Sequence, residues 1–238
     1  MSVYIKWAEA LHARWNETNL GALVSAAYHP LVYAREPFLA FLDRLGTHPR
    51  PLLFLGMNPG PWGMTQTGVP FGSVPLVRDW MGIEGNVGRP EVVHPARPVT
   101  GFQCSRAEIS GRRFWGLMQR RFGTLDGFAQ HHAVHTFCPL VFMDEAGRNV
   151  TPDRLAAAVR AEMEPECSLV VQQLVELWKI KRVICLGKWA WKMAVQSGLP
   201  NPVLLIHPSP INPGAQNWED KAERVLVQQG VWTEGQAV

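Results

Sequence analysis

The 238-residue sequence predicts an α/β protein, a three-layer α/β/α sandwich around a central, mainly parallel four-stranded sheet. Three observations lead there. Four short apolar runs have the length of strands, helical patterns alternate with them, and the segments of oddest composition fall directly after the runs.

The elements follow in order. Residues up to about 45 show helical patterning, broken at His29-Pro30 and Glu36-Pro37. The apolar runs cover 51–55, 133–137, 182–186 and 202–206. The third and fourth carry apolar residues without alternation, which suits strands buried on both faces. A helix over 153–163 follows Thr151-Pro152, where Thr can cap and Pro can fill the first turn. A second helical stretch, 167–178, has apolar residues at three-to-four spacing. A third, 188–196, follows Gly187, and a last one runs from about 217 to 229. No repeat, low-complexity tract or linker interrupts the chain, so residues 1–238 read as one domain.

Composition narrows the class of protein. The chain is 47% hydrophobic and 18% charged, as in an ordinary globular protein, and its net charge of +3 permits nucleic-acid binding without pointing to it. Cys104, Cys138, Cys167 and Cys185 form no CxxC pair, which speaks against a zinc ribbon or a local iron–sulfur cassette. Residues 1–10 do not resemble a secretory leader and no long apolar run exists. The expectation is an intracellular protein with reduced thiols and no membrane partner, in a bacterial cytoplasm or a eukaryotic nucleus. Glycosylation sequons at Asn16 and Asn149 carry no weight without a secretory route.

Ligands of doubly wound sheets gather beyond the carboxyl ends of the strands. There stand Gly56-Met57-Asn58-Pro59-Gly60, Cys138-Pro139-Leu140, Gly187-Lys188 and His207-Pro208-Ser209-Pro210, one after each run. The loop 56–72, GMNPGPWGMTQTGVPFG, is dense in glycine and proline, but it is neither a P-loop nor a GxGxxG turn. Asn58, locked between Met57 and Pro59, is placed to hold a water. An amide is no strong base, so the reaction it serves needs positioning more than proton abstraction. Satisfying a turn is the plainer reading of Asn58, and a structural histidine is the plainer reading of His207; singly, neither residue decides. As a catalytic group, His207 would donate to an oxygen where negative charge develops.

Taken together, the loop 56–72 and HPSPINPGAQNWE resemble the single-strand-selective monofunctional uracil-DNA glycosylases. Matching stretches at Val77-Arg78-Asp79-Trp80, Ile109-Ser110-Gly111, Phe114-Trp115-Gly116, Cys138-Pro139-Leu140 and Gly147 to Pro152 extend the resemblance over nearly the whole chain. It implies the α/β/α fold, hydrolysis without metal, cofactor or Schiff-base lysine, and DNA bearing deaminated bases as partner, single- or double-stranded. A monomer suffices for this chemistry. By motif, Asn58 resembles the water-positioning residue and His207 the histidine that stabilises the leaving base. Phe71 resembles the aromatic beneath the flipped base, and Met57 and Gly60 line the base and water sites. Pro208, Ser209, Pro210, Ile211, Asn212 and Pro213 resemble the wedge that fills the vacated stack.

Physical chemistry supports the same roles. Flipping costs a few kcal/mol, of which ring stacking recovers about 1–3 kcal/mol and an inserted apolar side chain a further part. One well-aimed donor on the departing base is worth roughly 10²–10³ in kcat.

Two positions depart from the family pattern. Thr136 stands where the family has the Asn that reads the uracil edge, and a rotatable hydroxyl reads less strictly than an amide. Weaker uracil selectivity and activity on hypoxanthine or xanthine are the expectation. Ile211 replaces an Arg in the wedge, which keeps the apolar insertion and weakens electrostatic holding. Arg112-Arg113 and Arg120-Arg121 are either phosphate contacts or a solvated helix face. A damaged-base binder that does not cut is the alternative from another class. A small-molecule hydrolase ranks last for want of a GxSxG context.

Overall fold

The computed structural model describes residues 8–11, 13–15 and 18–233; the Asn16 sequon and most of the 1–10 segment lie outside them. The strands are β1 (Ala26–Tyr28), β2 (Leu52–Gly56), β3 (His132–Thr136), β4 (Val141–Met143), β5 (Asn149–Val150), β6 (Arg182–Leu186) and β7 (Val203–Leu205). Four of them make the parallel sheet in the order β3-β2-β6-β7, with helices around it, as the apolar runs predict, except that β7 is an edge strand with Leu204 42% exposed, so the fourth run is not buried on both faces.

β2 lies inside the sheet and is buried at all five positions, which is why its sequence shows no alternation. Phe54 pairs with Val134 on one side and Ile184 on the other. Its ring meets Phe114, Phe128 and Trp232 at centroid distances of 5.3, 6.2 and 6.2 Å. Burying such a ring contributes about 1.5–3 kcal/mol, so this cluster is a principal anchor between the sheet and the helices Ile109–Phe122 and Leu125–Ala129. Arg50, 1% exposed, donates to the carbonyls of Leu45, Gly46, His48 and His132 and lies over Trp178. Burial lowers its pKa to about 10, which leaves it charged at neutral pH and fixes the end of the sheet remote from the site.

Three local expectations are corrected. Pro37 does not interrupt its helix, because it falls in the first turn of Arg35–Leu45, where its missing N–H has no partner to lose. Pro165 does not divide 153–163 from 167–178; one 22-residue helix, Ala157–Trp178, runs through it, after a separate turn at Pro152–Arg154. A proline in a helix interior costs about 3 kcal/mol. Here Val159, Met163, Cys167, Val170, Val171, Leu174 and Trp178 are buried before and after it, and that stripe outweighs the cost. The third correction is a second sheet, antiparallel, in the order β1-β4-β5. Its strands have three, three and two residues, too few to show a period in sequence. Among the described residues no helix is long and apolar enough to cross a membrane.

Candidate active site

Because β3, β2, β6 and β7 are parallel, their carboxyl ends share one edge, and four loops leave from it. β2 feeds the loop 56–72. Phe137 N–H donates to the Gly56 carbonyl at 2.9 Å and Cys138 N–H to that of Met57 at 2.9 Å, stitching the first loop to the one after β3. Met57 and Asn58 are half-buried where the loop begins. Asn58 Nδ2 lies 3.4 Å from the Leu140 carbonyl and 3.5 Å from Asn149 Oδ1, long contacts that still fix the amide's direction. Both use the nitrogen, so Oδ1 is the atom set to accept from a water. Asn149 reaches this point because β5 pairs with β4, in the sheet absent from the sequence expectation.

Phe71 sits in the left-handed region, φ 57°, which an aromatic residue adopts only when its surroundings hold it there. The hold is visible on both sides of it. Trp115 Nε1 donates to the Pro70 carbonyl at 3.0 Å, and Thr67 Oγ1 to that of Gly72 at 3.2 Å. A Cβ at Gly111 would overlap the Phe71 carbonyl oxygen, so only glycine fits there. The Phe71 ring packs against Phe114 at 5.0 Å with the two planes tilted by 31°, covers Gly56 and stands 6.3 Å from the His207 ring.

His207 follows β7. Its Nδ1 accepts from Ser209 N–H at 3.0 Å, and burial lowers its pKa to about 4. At neutral pH the ring is therefore uncharged with its proton on Nε2, a tautomer fixed by the hydrogen bond at the other nitrogen. Gly187, φ 103°, lies against this histidine, close enough that a Cβ would meet the His207 Cβ at 3.3 Å.

The segment 208–213 folds back on itself. Pro208 is buried, and its carbonyl accepts from Arg113 Nη1 at 2.8 Å. Asn212 N–H donates to the Ser209 carbonyl at 3.1 Å and Ala215 N–H to that of Asn212 at 3.0 Å. Trp218 Nε1 holds the Ile206 carbonyl at 2.6 Å from the far side. Pro210, Ile211 and Pro213 remain exposed, Ile211 by 89%, the most of any large apolar side chain among the described residues.

Thr136 ends β3 beside Gly56 and is 2% exposed. Its Oγ1 is directed at Met64 Sδ, 3.9 Å away, and its methyl lies on the Gly56 side. A thioether is a weak acceptor, so this contact is a weak one.

Gly60 is explained by Glu108, which sequence reasoning missed. A Cβ at Gly60 would stand 2.7 Å from Glu108 Oε2. The carboxylate caps the helix Ile109–Phe122 by accepting from Ser110 N–H at 3.1 Å, and burial raises its pKa. A carboxylate just before a helical run was the available signal. Three of the four paired arginines bond to partners within the chain, Arg120 on the surface. Besides Arg113, Arg120 pairs with Asp220 and Glu223, and Arg121 with Glu223 while covering Trp232.

Comparison with known proteins agrees with this geometry. Residues 44–228 match the family model of the Uracil DNA glycosylase superfamily. The chain is 39% identical to the single-strand selective monofunctional uracil DNA glycosylase of Bos taurus, over 93% of this chain and 84% of that one. It is 40% identical to the enzymes of the same name from Rattus norvegicus and Mus musculus, over 93% of this chain and 82% and 81% of theirs. The crystal structure of wild-type Pedobacter heparinus SMUG2 superposes with a TM-score of 0.64 at 19% identity, over 94% of this chain and 97% of that one, a likeness of fold.

Proposed function

Because the chain belongs to the uracil DNA glycosylase superfamily, we propose that it excises uracil from DNA by hydrolysing the N-glycosidic bond, leaving an abasic site for base excision repair. The observation that carries the reading is His207, held neutral and with its Nε2–H free to donate beside the Phe71 ring.

The flipped base stacks on Phe71, and Ile211 enters the stack it leaves. As the C1′–N1 bond breaks, its electron pair departs with the base and spreads to the carbonyl oxygens. His207 Nε2–H donates to the oxygen where that charge gathers. The sugar is left with positive charge, and the water accepted by Asn58 Oδ1 bonds to C1′. Its proton passes through solvent to the departing base, so the products are neutral base and abasic site. No strong base is needed, which is why an asparagine serves.

A hydroxyl oxygen at Thr136 accepts from a ring N–H, which uracil, hypoxanthine and xanthine carry where the N3 of cytosine carries none. The substrate range accordingly covers deaminated bases as a class, in single- and double-stranded DNA, by a monomer.

The test is cleavage of labelled oligonucleotides carrying uracil, hypoxanthine or xanthine, both single- and double-stranded, with alkali to break abasic sites. Wild type should cut, and Asn58→Ala and His207→Ala should each lose about 10²-fold or more. Tight binding to damaged DNA with no excision by wild type would replace this reading with a damaged-base binder that does not cut.

A further inference from the structure

Trp62, half-buried in the middle of the loop 56–72, lies against two guanidiniums at once. Arg97 and Arg106 each stand 5.1 Å from its ring centroid. Two like charges on one indole repel each other, and the attraction of each to the ring is worth only about as much as a surface contact. Six exposed arginines, Arg14, Arg35, Arg44, Arg78, Arg120 and Arg148, pair with carboxylates, and Arg89, Arg112, Arg154 and Arg224 stand exposed in no ion pair among the described residues, so what sets Arg97 and Arg106 apart is the indole they share. Among the described residues no carboxylate lies within ion-pair distance of Arg97 or Arg106. The nearest acid in sequence, Glu108, is turned inward to cap its helix.

The pair is also held in place relative to the catalytic loop. Gln66, fully buried, donates from Nε2 to the carbonyls of Pro61 and Pro98, both at 3.1 Å, and accepts from Thr100 N–H at 2.9 Å. One side chain thus ties the residue before Trp62 to the residue after Arg97. From the other side Tyr28 Oη donates to the Arg97 carbonyl at 2.8 Å. Trp62 itself stands between Gly60 and Phe71 on the loop that carries Asn58.

We propose that Arg97, Trp62 and Arg106 form a phosphodiester-holding site for the DNA strand flanking the flipped nucleotide, the indole keeping both guanidiniums side by side to share one stretch of backbone. The inference rests on the glycosylase reading and adds where the strand is gripped. It replaces Arg113 and the Arg120-Arg121 pair as the source of backbone contacts, since those three are consumed within the fold.

The experiment measures binding of a single-stranded oligonucleotide without damage at several salt concentrations, for wild type, Arg106→Gln and the Arg97→Gln/Arg106→Gln pair. Every phosphate no longer neutralised should flatten the log–log salt dependence by about 0.7. The double variant should therefore lower the slope by roughly 1.4, and Arg106→Lys should retain the wild-type slope. Under single-turnover conditions the enzyme concentration that half-saturates uracil excision should rise at least a few-fold in the double variant, as weaker holding of the strand requires. Unchanged slopes in both glutamine variants overturn the proposal. An arginine-dependent slope in a protein that cuts no base supports the grip and overturns the glycosylase reading instead, so the two failures separate.

Discussion

At the residue scale, the site is set by a few backbone positions that leave no latitude. Phe71 at positive φ is tolerated at a cost on the order of 1–3 kcal/mol because Gly111 lets its carbonyl in and Trp115 holds the residue before it. Gly111→Ala should destabilise the fold by about 1–3 kcal/mol through overpacking, and should lower kcat/KM for uracil at least tenfold by tilting the ring. A thermal melt and steady-state excision read both quantities, and a wild-type rate would show that the ring's seat does not matter. Thr136 gives a prediction of selectivity. Thr136→Asn should raise uracil turnover and increase the preference for uracil over hypoxanthine by about tenfold, since an amide adds a fixed donor that only one base edge matches. Competition between two labelled substrates in one tube measures the ratio directly. An unchanged or lower uracil rate would mean that Met64 and not residue 136 shapes the edge of the pocket.

At the scale of elements, the helix Ile109–Phe122 joins what the chain order separates. Its cap Glu108 abuts Gly60, Gly111 and Trp115 seat the Phe71 segment, Phe114 packs against that ring, and Arg113 holds Pro208 at the base of the wedge. Arg113→Ala removes a charge-assisted hydrogen bond worth about 1.5–3 kcal/mol, so the wedge should loosen and kcat/KM on duplex DNA should fall by roughly tenfold or more. Ile211→Ala should produce a loss of similar kind, and the two should be less than additive because they act through one loop. Strict additivity would detach Arg113 from the wedge. The parallel sheet and the four loops at its edge were legible because buried strands write unbroken apolar runs and rigid loops write Gly and Pro. The second sheet was not, since strands of three residues leave no period and gain their partners only from tertiary contact. The contacts that Asn149, Glu108 and Arg113 make were hidden for the same reason: their partners lie 91, 48 and 95 positions away by the fold, not by local pattern. Pro165 misled in the opposite sense, as local propensity gave way to a buried stripe on either side of it.

At the scale of the molecule, the surroundings of three histidines, His132, His135 and His207, hold their rings uncharged at neutral pH. Burial lowers His132 to about 3 and His135 and His207 to about 4, against about 6.5 for the unfolded chain. Between those values the unfolded state binds more protons than the folded one, so stability rises with pH. It is fully present above about 6.5 and should decline as pH falls through 6 toward 3, which urea midpoints taken from pH 7.5 to 4 would reveal. A flat midpoint across that range would contradict the burial of these rings. The small antiparallel sheet has a different consequence, for how portable the enzyme is. The span that matches the family model starts at residue 44 and stops at 228, yet β1 lies ahead of it and Trp232 behind it. A gene cassette cut to that span would carry Asn58, Phe71 and His207 while discarding the strand that pairs with β4, the hydroxyl that anchors Arg97, and a ring against Phe54. Such a fragment should be recovered unfolded or inactive, and a melt beside the 238-residue protein would show it. What can be recognised in this family is thus smaller than what can be transplanted.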